Sequence, residues 1–185
     1  MANPTRPVLI SGGHKGAEAE FGRAAKRWGI EQTTLSFEGH DMEWPVSVRV
    51  LSPAELEAGD VSMEIVSRRM GRTYHEAARI RRVVQSIYHM VNDAWQVFVI
   101  GTIQADDTVK GGTGWAVELA KLFNRPVWVF DQTRHEWFRW QGGHWVPEAP
   151  SIGDRPFAGT GTRNLTDEGR TAISDLFRRS FGDPA

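Results

Sequence analysis

The stretch VKGGTGWAVELAKLFNRPVWVFD, Val109–Asp131, contains the strongest indication of the fold of this chain. It opens with a glycine-rich loop, after which apolar residues recur at helical spacing. These are Ala116, Leu119, Ala120 and Phe123. A proline and the apolar run Val127–Phe130 follow, as in a buried strand. With the β-branched and aromatic run Gln96–Ile100 upstream, the stretch predicts a strand, loop, helix and strand, and hence a parallel crossover.

Two further units repeat the order of strand, glycine turn and helix. Near the N-terminus, Val8–Ile10 leads into the turn at positions 11–13, and apolar residues then recur at helical spacing from Ala17 to Trp28. Near the C-terminus, a short strand candidate meets Gly159 and Gly161. Thr166 follows as a possible cap of a last helix.

The remaining segments predict the rest of an α/β fold. Gln32–Phe37 is a strand candidate, and the segment 38–56 is expected to be a long loop with one strand near Val48–Leu51. A helix is predicted over Tyr74–Asn92, with its apolar face against the sheet. That face comprises Ile80, Val84, Ile87 and Val91. Alternating aromatic and polar residues around positions 142–143 predict an antiparallel hairpin.

Composition indicates one compact domain over residues 1–185. The formal charge of -1 gives no global positive field of the kind that binds nucleic acid non-specifically. No run of eighteen apolar residues occurs, so we expect a cytoplasmic protein without a membrane span. The absence of cysteine excludes disulfides and thiolate chemistry. The six histidines lack spacings such as H-E-x-x-H, so no metal site is expected.

The glycine turns suggest an anion-binding edge. In a parallel sheet, turns that lead from strands into helices place free backbone N–H groups and helix N-termini along one edge. The loop KGGTGW adds the Lys110 ammonium and the Thr113 hydroxyl. It matches neither the P-loop nor the G-x-G-x-x-G spacing, which argues against an ordinary nucleoside triphosphatase or dehydrogenase. The turns could also serve only to change chain direction, and that alternative stays open.

Several side chains near these turns are candidates for ligand contact. Glu118, one turn into a helix, can serve as an acid, a base or a hydroxyl acceptor, or simply be a solvated helix residue. Glu18 occupies the corresponding place after the first turn. Arg163 suits a forked phosphate contact, or a surface ion pair. Trp115, at a helix start beside the loop, is positioned to stack on a base.

The segments ISGGHKGAE, SFEGH, FVIGTI, VKGGTGWAVELA, RPVWVFDQTRHEW and FAGTGTRNLTDEGRTAI cover nearly the whole chain. In this combination the chain resembles the SLOG superfamily of Rossmann-like nucleotide-binding proteins, and within it the circularly permuted YpsA-like group. Glu18 departs from the aspartate usual in that group, and Lys15 stands where a small or acidic residue is usual.

The resemblance implies a Rossmann-like, doubly wound, mostly parallel sheet with helices on both faces and an appended hairpin. In such a permuted sheet the first and last glycine turns should lie side by side. The resemblance also implies that the turns hold a nucleotide or a nucleotide-derived ligand, in a protein that acts as a sensor or sequestering module. The ligand-binding residues expected on these grounds are Ser11, Gly12, Gly13, Lys15, Gly16, Glu18, Gly101, Thr102, Lys110, Gly111, Gly112, Thr113, Gly114, Trp115, Glu118, Asp131, Gly159, Gly161, Thr162 and Arg163. No catalytic residue is assigned.

Two other functions remain open. The lysine-decarboxylase-like branch of the superfamily hydrolyses nucleoside monophosphates with a GG.GT..E motif, and Glu118 stands at the matching offset. That branch, however, has threonine where Trp115 stands here. DNA binding of the DprA-like kind has support only from an arginine cluster: Arg68, Arg69, Arg72, Arg79, Arg81 and Arg82. A homo-oligomer is expected in each case from the aromatic hairpin and the eight tryptophans.

Overall fold

The fold is α/β, with eight strands in one sheet among the residues that the computed structural model describes, 6–74 and 78–184. In chain order the strands are β1 (Val8–Ser11), β2 (Glu31–Ser36), β3 (Val48–Val50), β4 (Gln96–Gly101), β5 (Val127–Asp131), β6 (Glu136–Gln141), β7 (His144–Pro147) and β8 (Phe157–Gly161). Their order across the sheet is β3-β2-β1-β8-β4-β5-β6-β7. The six strands from β3 to β5 are parallel, and β6 and β7 continue the sheet as an antiparallel hairpin.

Helices cover both faces of this sheet. They are α1 (Ala17–Arg27), α2 (Pro53–Glu57), α3 (Asp60–Arg69), α4 (Ala78–Asn92), α5 (Thr113–Leu122) and α6 (Asp167–Phe181). Along β4, Phe98 and Ile100 join the core under α1 and α6, while Val97 and Val99 join the core under α3, α4 and α5. Successive side chains of a strand point to opposite faces, so the continuous apolar run of β4 fills both cores.

The structure confirms the predicted strand, turn and helix units, the parallel crossover and the hairpin. It also confirms the cap of the last helix, since the Gly169 N–H donates to Thr166 Oγ1 at 3.1 Å. The last strand, β8, lies between β1 and β4 and is parallel to both. The first and last glycine turns are therefore neighbours, as the resemblance implied.

Two predictions about the middle of the chain were wrong. The expected long loop extends only to Leu51, because Ser52 and Glu55 form a capping box that starts α2. Ile80 was expected against the sheet, yet 60% of its surface is exposed. The other three predicted inward residues of α4 are buried. Residues 75–77 of the predicted helix lie outside the described residues.

Within the described ranges, none of the helices combines the length and the apolar character needed to cross a bilayer.

Candidate functional site

A crevice of about 510 Å³ lies at the carboxyl ends of β1, β8 and β4. Residues from the turn after each of these strands line it, together with the Lys110–Thr113 loop that leads into α5. The turns after β1 and β8 are also joined directly, because the Ala17 N–H donates to the Thr162 carbonyl at 3.0 Å. The volume of the crevice falls in the range typical of small-molecule sites.

Twelve of the residues predicted from the sequence line this crevice. They are Gly12, Glu18, Gly101, Thr102, Lys110, Gly111, Gly112, Thr113, Trp115, Gly161, Thr162 and Arg163. The other eight are not part of its lining: Ser11, Gly13, Lys15, Gly16, Gly114, Glu118, Asp131 and Gly159. Gly13 and Gly16 adopt positive φ angles of 68° and 93°, so they determine the backbone conformation of the first turn without lining the crevice.

Glu118 lies away from the crevice. Its carboxylate accepts a hydrogen bond from Lys121 Nζ at 2.7 Å, and both side chains are largely buried. The same ammonium group lies 3.8 Å from the ring centroid of Trp140 in the hairpin. The helix therefore directs Glu118 toward the hairpin, where it stabilises a buried charge pair.

Asp131 does not line the crevice but stabilises the backbone next to it. Its buried carboxylate accepts hydrogen bonds from the backbone N–H groups of Ile103, Thr133 and Arg134 at 2.8–3.2 Å. These bonds join the end of β5 to the chain that leaves β4 through Gly101. A carboxylate with three backbone donors is already satisfied, so Asp131 holds the turn in place.

The loop before α5 offers unpaired backbone donors. Among the described residues, none accepts a hydrogen bond from the backbone N–H groups of Gly111, Gly112 and Thr113. Lys110 is exposed beside them, and its own N–H donates to the Thr102 carbonyl at 3.0 Å. Free N–H groups at a helix N-terminus, next to an ammonium group, form a suitable place for an anion.

The opposite wall of the crevice is apolar and comes from α4. It consists of Ile80, Val83, Val84, Ile87 and Met90, with the buried Ser86 among them. The Ser86 hydroxyl donates to the Val83 carbonyl at 2.7 Å. This wall explains the exposed Ile80, which lies where α4 borders the crevice rather than against the sheet. The sequence indicated an apolar helix face but not which part of it would be left uncovered.

Trp115 is largely enclosed by the core. Only 7% of its surface is exposed, and its ring centroid lies 6.3 Å from that of Tyr74. It contributes to the crevice lining, but most of the indole packs against other side chains. The proposed stacking of this ring on a base stays a prediction.

His14 and Thr160 line the crevice within the predicted turns at positions 11–16 and 159–163, but the sequence assigned neither a role of its own. Gln132 and Asn164 also line it and were not predicted. Gln132 joins two turns, because its amide group donates to the Asn164 carbonyl and accepts from the Thr166 N–H. His14 stands inside the predicted motif SGGHKG, so its position was visible in the sequence. The histidines were considered only as metal ligands, and a search for acid–base partners of Glu18 would have found it.

A hydrogen-bonded chain of side chains runs from the crevice to the loop after β2. Glu18 Oε1 accepts from the Thr160 hydroxyl at 2.7 Å, and Glu18 Oε2 lies 2.9 Å from His14 Nδ1. His14 Nε2 in turn lies 2.9 Å from His40 Nε2, and His40 Nδ1 lies 3.3 Å from Ser36 Oγ. This chain links α1, β8 and the loop after β2.

The surroundings of these hydrogen-bonded side chains shift the pKa values of Glu18 and His40. Burial acts to raise the pKa of Glu18, but hydrogen bonds from His14 and Thr160 and the charge of His14 outweigh it, so this pKa is lowered. Burial and the charge of His14 lower the pKa of His40 to about 4. Glu18 is thus a carboxylate at neutral pH and His40 is uncharged there.

The part of the chain that the structure describes holds no group of three or more acidic, histidine or cysteine side chains suited to a metal ion.

The loop after β2 brings His40 to this position. Gly13 accepts hydrogen bonds from the backbone N–H groups of Glu43 and Trp44 at 2.9 and 3.0 Å, which folds the loop over the first glycine turn. The Trp44 ring lies against Gly22 of α1, where any side chain would collide with it. His40 itself stacks on Phe37, with ring centroids 4.5 Å apart. These contacts fix the loop where composition indicated only an irregular segment.

The arginine cluster is largely engaged within the protein. Arg72 donates to the Gly111 carbonyl at 2.6 Å, and Arg81 to Asp60 at 2.7 Å. Arg68 pairs with Glu64, and Arg82 donates to the Glu38 carbonyl. Four of the six guanidinium groups of this cluster therefore have hydrogen-bond partners within the protein.

In comparisons with protein-family models, curated proteins and solved structures, nothing matched this chain.

Proposed function

We propose that this chain binds a nucleotide or a nucleotide-derived small molecule in the crevice at the ends of β1, β8 and β4, and acts as a sensor or sequestering module. The observation that carries the proposal is the loop before α5. There, three adjacent N–H groups without acceptors among the described residues lie beside Lys110 and line a crevice of nucleotide size. The resemblance to the SLOG superfamily points to the same class of ligand.

The two walls of the crevice favour a ligand with two chemically different ends. The turns after β8 and before α5 offer backbone N–H groups and the cations Lys110 and Arg163, which suit phosphate oxygens. The α4 wall offers aliphatic side chains, which suit the flat, weakly hydrated face of a base. Free phosphate would leave the α4 wall in contact with water, so a nucleotide fits the crevice better than inorganic phosphate does.

The two rival functions draw less support from the molecule. Hydrolysis by Glu118 would require that carboxylate to reach the ligand, and it is held by Lys121 on the side of the hairpin. Binding of DNA would require free cations, and four of the six clustered arginines already have partners within the protein. Binding of a small nucleotide needs neither condition.

A single substitution in the loop tests the proposal. Gly112 has φ of -61°, and a Cβ placed there would meet nothing within 4 Å, so Gly112→Asp should fold normally and bring a negative charge into the crevice. We expect the wild-type protein to retain or bind a nucleotide, and Gly112→Asp to bind it at least about tenfold more weakly, a change of about 1.4 kcal/mol. Native mass spectrometry of the purified protein, then calorimetry with a nucleotide panel, measures both.

Two variants serve as controls. Gly112→Ala adds a methyl group without charge and should bind as the wild type does. Gly153→Asp adds the same charge near Gln96, at the opposite end of β4, where the Cβ would have room. If the wild-type protein is empty and binds no nucleotide of the panel, or if Gly112→Asp binds as well as Gly153→Asp, the crevice is not the site.

A further inference from the structure

A buried carboxylate lines the crevice in which we propose that an anionic ligand binds. Glu18 lines the crevice with 6% of its surface exposed, and its hydrogen bonds keep it ionised. A phosphate placed beside a carboxylate is repelled, and the repulsion is stronger where protein replaces water. A positive charge close to Glu18 would remove this conflict. Among the described residues, His14 contacts the carboxylate, with Nδ1 at 2.9 Å from Glu18 Oε2, and an imidazole can carry such a charge.

The geometry of His14 and His40 defines how the pair takes up protons. Because Glu18 accepts at His14 Nδ1, that nitrogen carries a proton, and the two Nε2 atoms at 2.9 Å share one more. In the neutral pair, His40 Nδ1 is then an acceptor for the Ser36 hydroxyl. One additional proton fits at His40 Nδ1 if Ser36 turns from donor to acceptor. A second would place a proton on both Nε2 atoms and break the bond between the rings.

We propose that the pair of His14 and His40 takes up one proton when an anionic ligand enters the crevice, and so makes the site prefer charged ligands to neutral ones. This inference rests on the proposed function, because it concerns the same crevice. His14 lines the crevice, so the added charge lies close to the ligand and neutralises Glu18. His40 serves as the partner that lets His14 hold the proton without losing its hydrogen bond.

The other charges around the pair are consistent with uptake of a single proton. The charges that act on His40 besides His14 come from α1, the loop after β2 and α4: Glu18, Asp41 and Arg79. Arg163, in the turn after β8, lines the same crevice as His14. Glu18 and Asp41 favour the first proton. Arg79 and the charge on His14 oppose a second, and the pKa of His40 near 4 agrees with that.

The test uses two probes that do not titrate near neutral pH, inorganic sulfate and adenosine 3′,5′-cyclic monophosphate. We expect the wild-type dissociation constants to rise by up to about tenfold per pH unit as the pair loses its proton. In Glu18→Gln the dissociation constants should not vary with pH and the affinity should be high, because no carboxylate needs to be neutralised. In His14→Asn the dissociation constants should not vary with pH either and the affinity should be low, because the carboxylate stays uncompensated. His144→Asn, in the exposed hairpin, should behave as the wild type does.

Calorimetry in buffers of different ionisation enthalpy measures the proton uptake of the wild type directly, whether or not the variants fold. An uptake approaching one proton per ligand, at a pH where the free pair is neutral, supports the inference. Binding without pH dependence and without proton uptake overturns it and leaves the proposed function intact. A pH dependence that persists in both Glu18→Gln and His14→Asn also overturns it. If neither the probes nor any nucleotide binds at any pH, the proposed function and this inference fail together.

Discussion

At the scale of the residue, the two glutamates that the sequence treated as equivalent have different surroundings in the structure. Glu18 and Glu118 each lie within the first turns of a helix that follows a glycine-rich loop. Glu18 points into the crevice and joins a chain of histidines, whereas Glu118 pairs with Lys121 beneath the hairpin. Glu18 is the second residue of α1 and Glu118 the sixth residue of α5, so the two side chains meet different neighbours.

His40 gives the first prediction at this scale, which concerns stability. Its pKa falls from 6.5 to about 4 in the folded protein, so between these values the unfolded chain binds a proton that the folded chain does not. The part of the free energy of unfolding that depends on neutral His40 is therefore fully present above pH 6.5. It is lost as the pH falls toward 4, by about 1 kcal/mol per pH unit. Urea denaturation at a series of pH values measures the slope.

The variant His40→Phe provides the comparison. Phenylalanine can stack on Phe37 as the imidazole does, but it takes up no proton. We expect the slope between about pH 6.5 and 4 to be smaller in this variant than in the wild type. Glu18, whose pKa is lowered, contributes in a more acidic range, below its usual value of 4.5, so the two effects separate. Equal slopes for both proteins would contradict the assignment of this pH dependence to His40.

At the scale of the element, the glycine turns differ in what the glycine is for. A Cβ at Gly12 would lie 2.7 Å from Glu18 Oε2, so the absence of a side chain lets the buried carboxylate approach the backbone. At Gly112 a Cβ would meet nothing within 4 Å and the φ angle is ordinary for any residue. A side chain is thus excluded at Gly12 by the contact with Glu18, whereas the space beside Gly112 is open.

A matched pair of substitutions tests this difference. Gly12→Ala should lower the free energy of unfolding by about 1–3 kcal/mol, because the added methyl group displaces a carboxylate held by His14 and Thr160. Gly112→Ala should change it by less than about 1 kcal/mol. Denaturation of both variants at one pH gives the comparison. Similar losses in the two would mean that the loops are constrained in the same way.

At the scale of the whole molecule, assembly stays a prediction. The hairpin that suggested an oligomer uses part of its aromatic surface internally. Trp137 is buried, and Trp140 and Trp145 pack on each other and around Lys121. Exposed aliphatic side chains occur instead on the edge strand β3 and on α3. They are Val48, Val50, Val61 and Ile65.

Sedimentation of the purified protein tests assembly. We expect a species heavier than the 20.8 kDa chain. We also expect Val61→Lys to shift it toward the monomer, because 75% of the surface of Val61 is exposed in the single chain. Val61→Thr, of nearly the same size, should have little effect. A wild-type protein that sediments as one 20.8 kDa species at every concentration would contradict the prediction.

The elements that depend on local patterns were predictable from the sequence. Apolar periodicity, glycine turns and a capping threonine predicted the parallel units and the hairpin, since these signals lie within a few residues of one another. The short helices α2 and α3 were missed. The capping box at Ser52 was present in the sequence but was not recognised amid the irregular composition around it. The three glycine turns were correctly expected at one edge, because carboxyl ends of parallel strands share an edge.

The side chains that meet at that edge depend on the packing of distant segments, which local patterns do not reveal. The insertion of β8 between β1 and β4 brings Thr160 to Glu18, residues 142 positions apart. The loop after β2 folds over Gly13 and places His40 beside His14, 26 positions away. The direction of each helix face likewise separated Glu18 from Glu118. Such pairings depend on strand order and packing between distant segments, which no local spacing in the chain specifies.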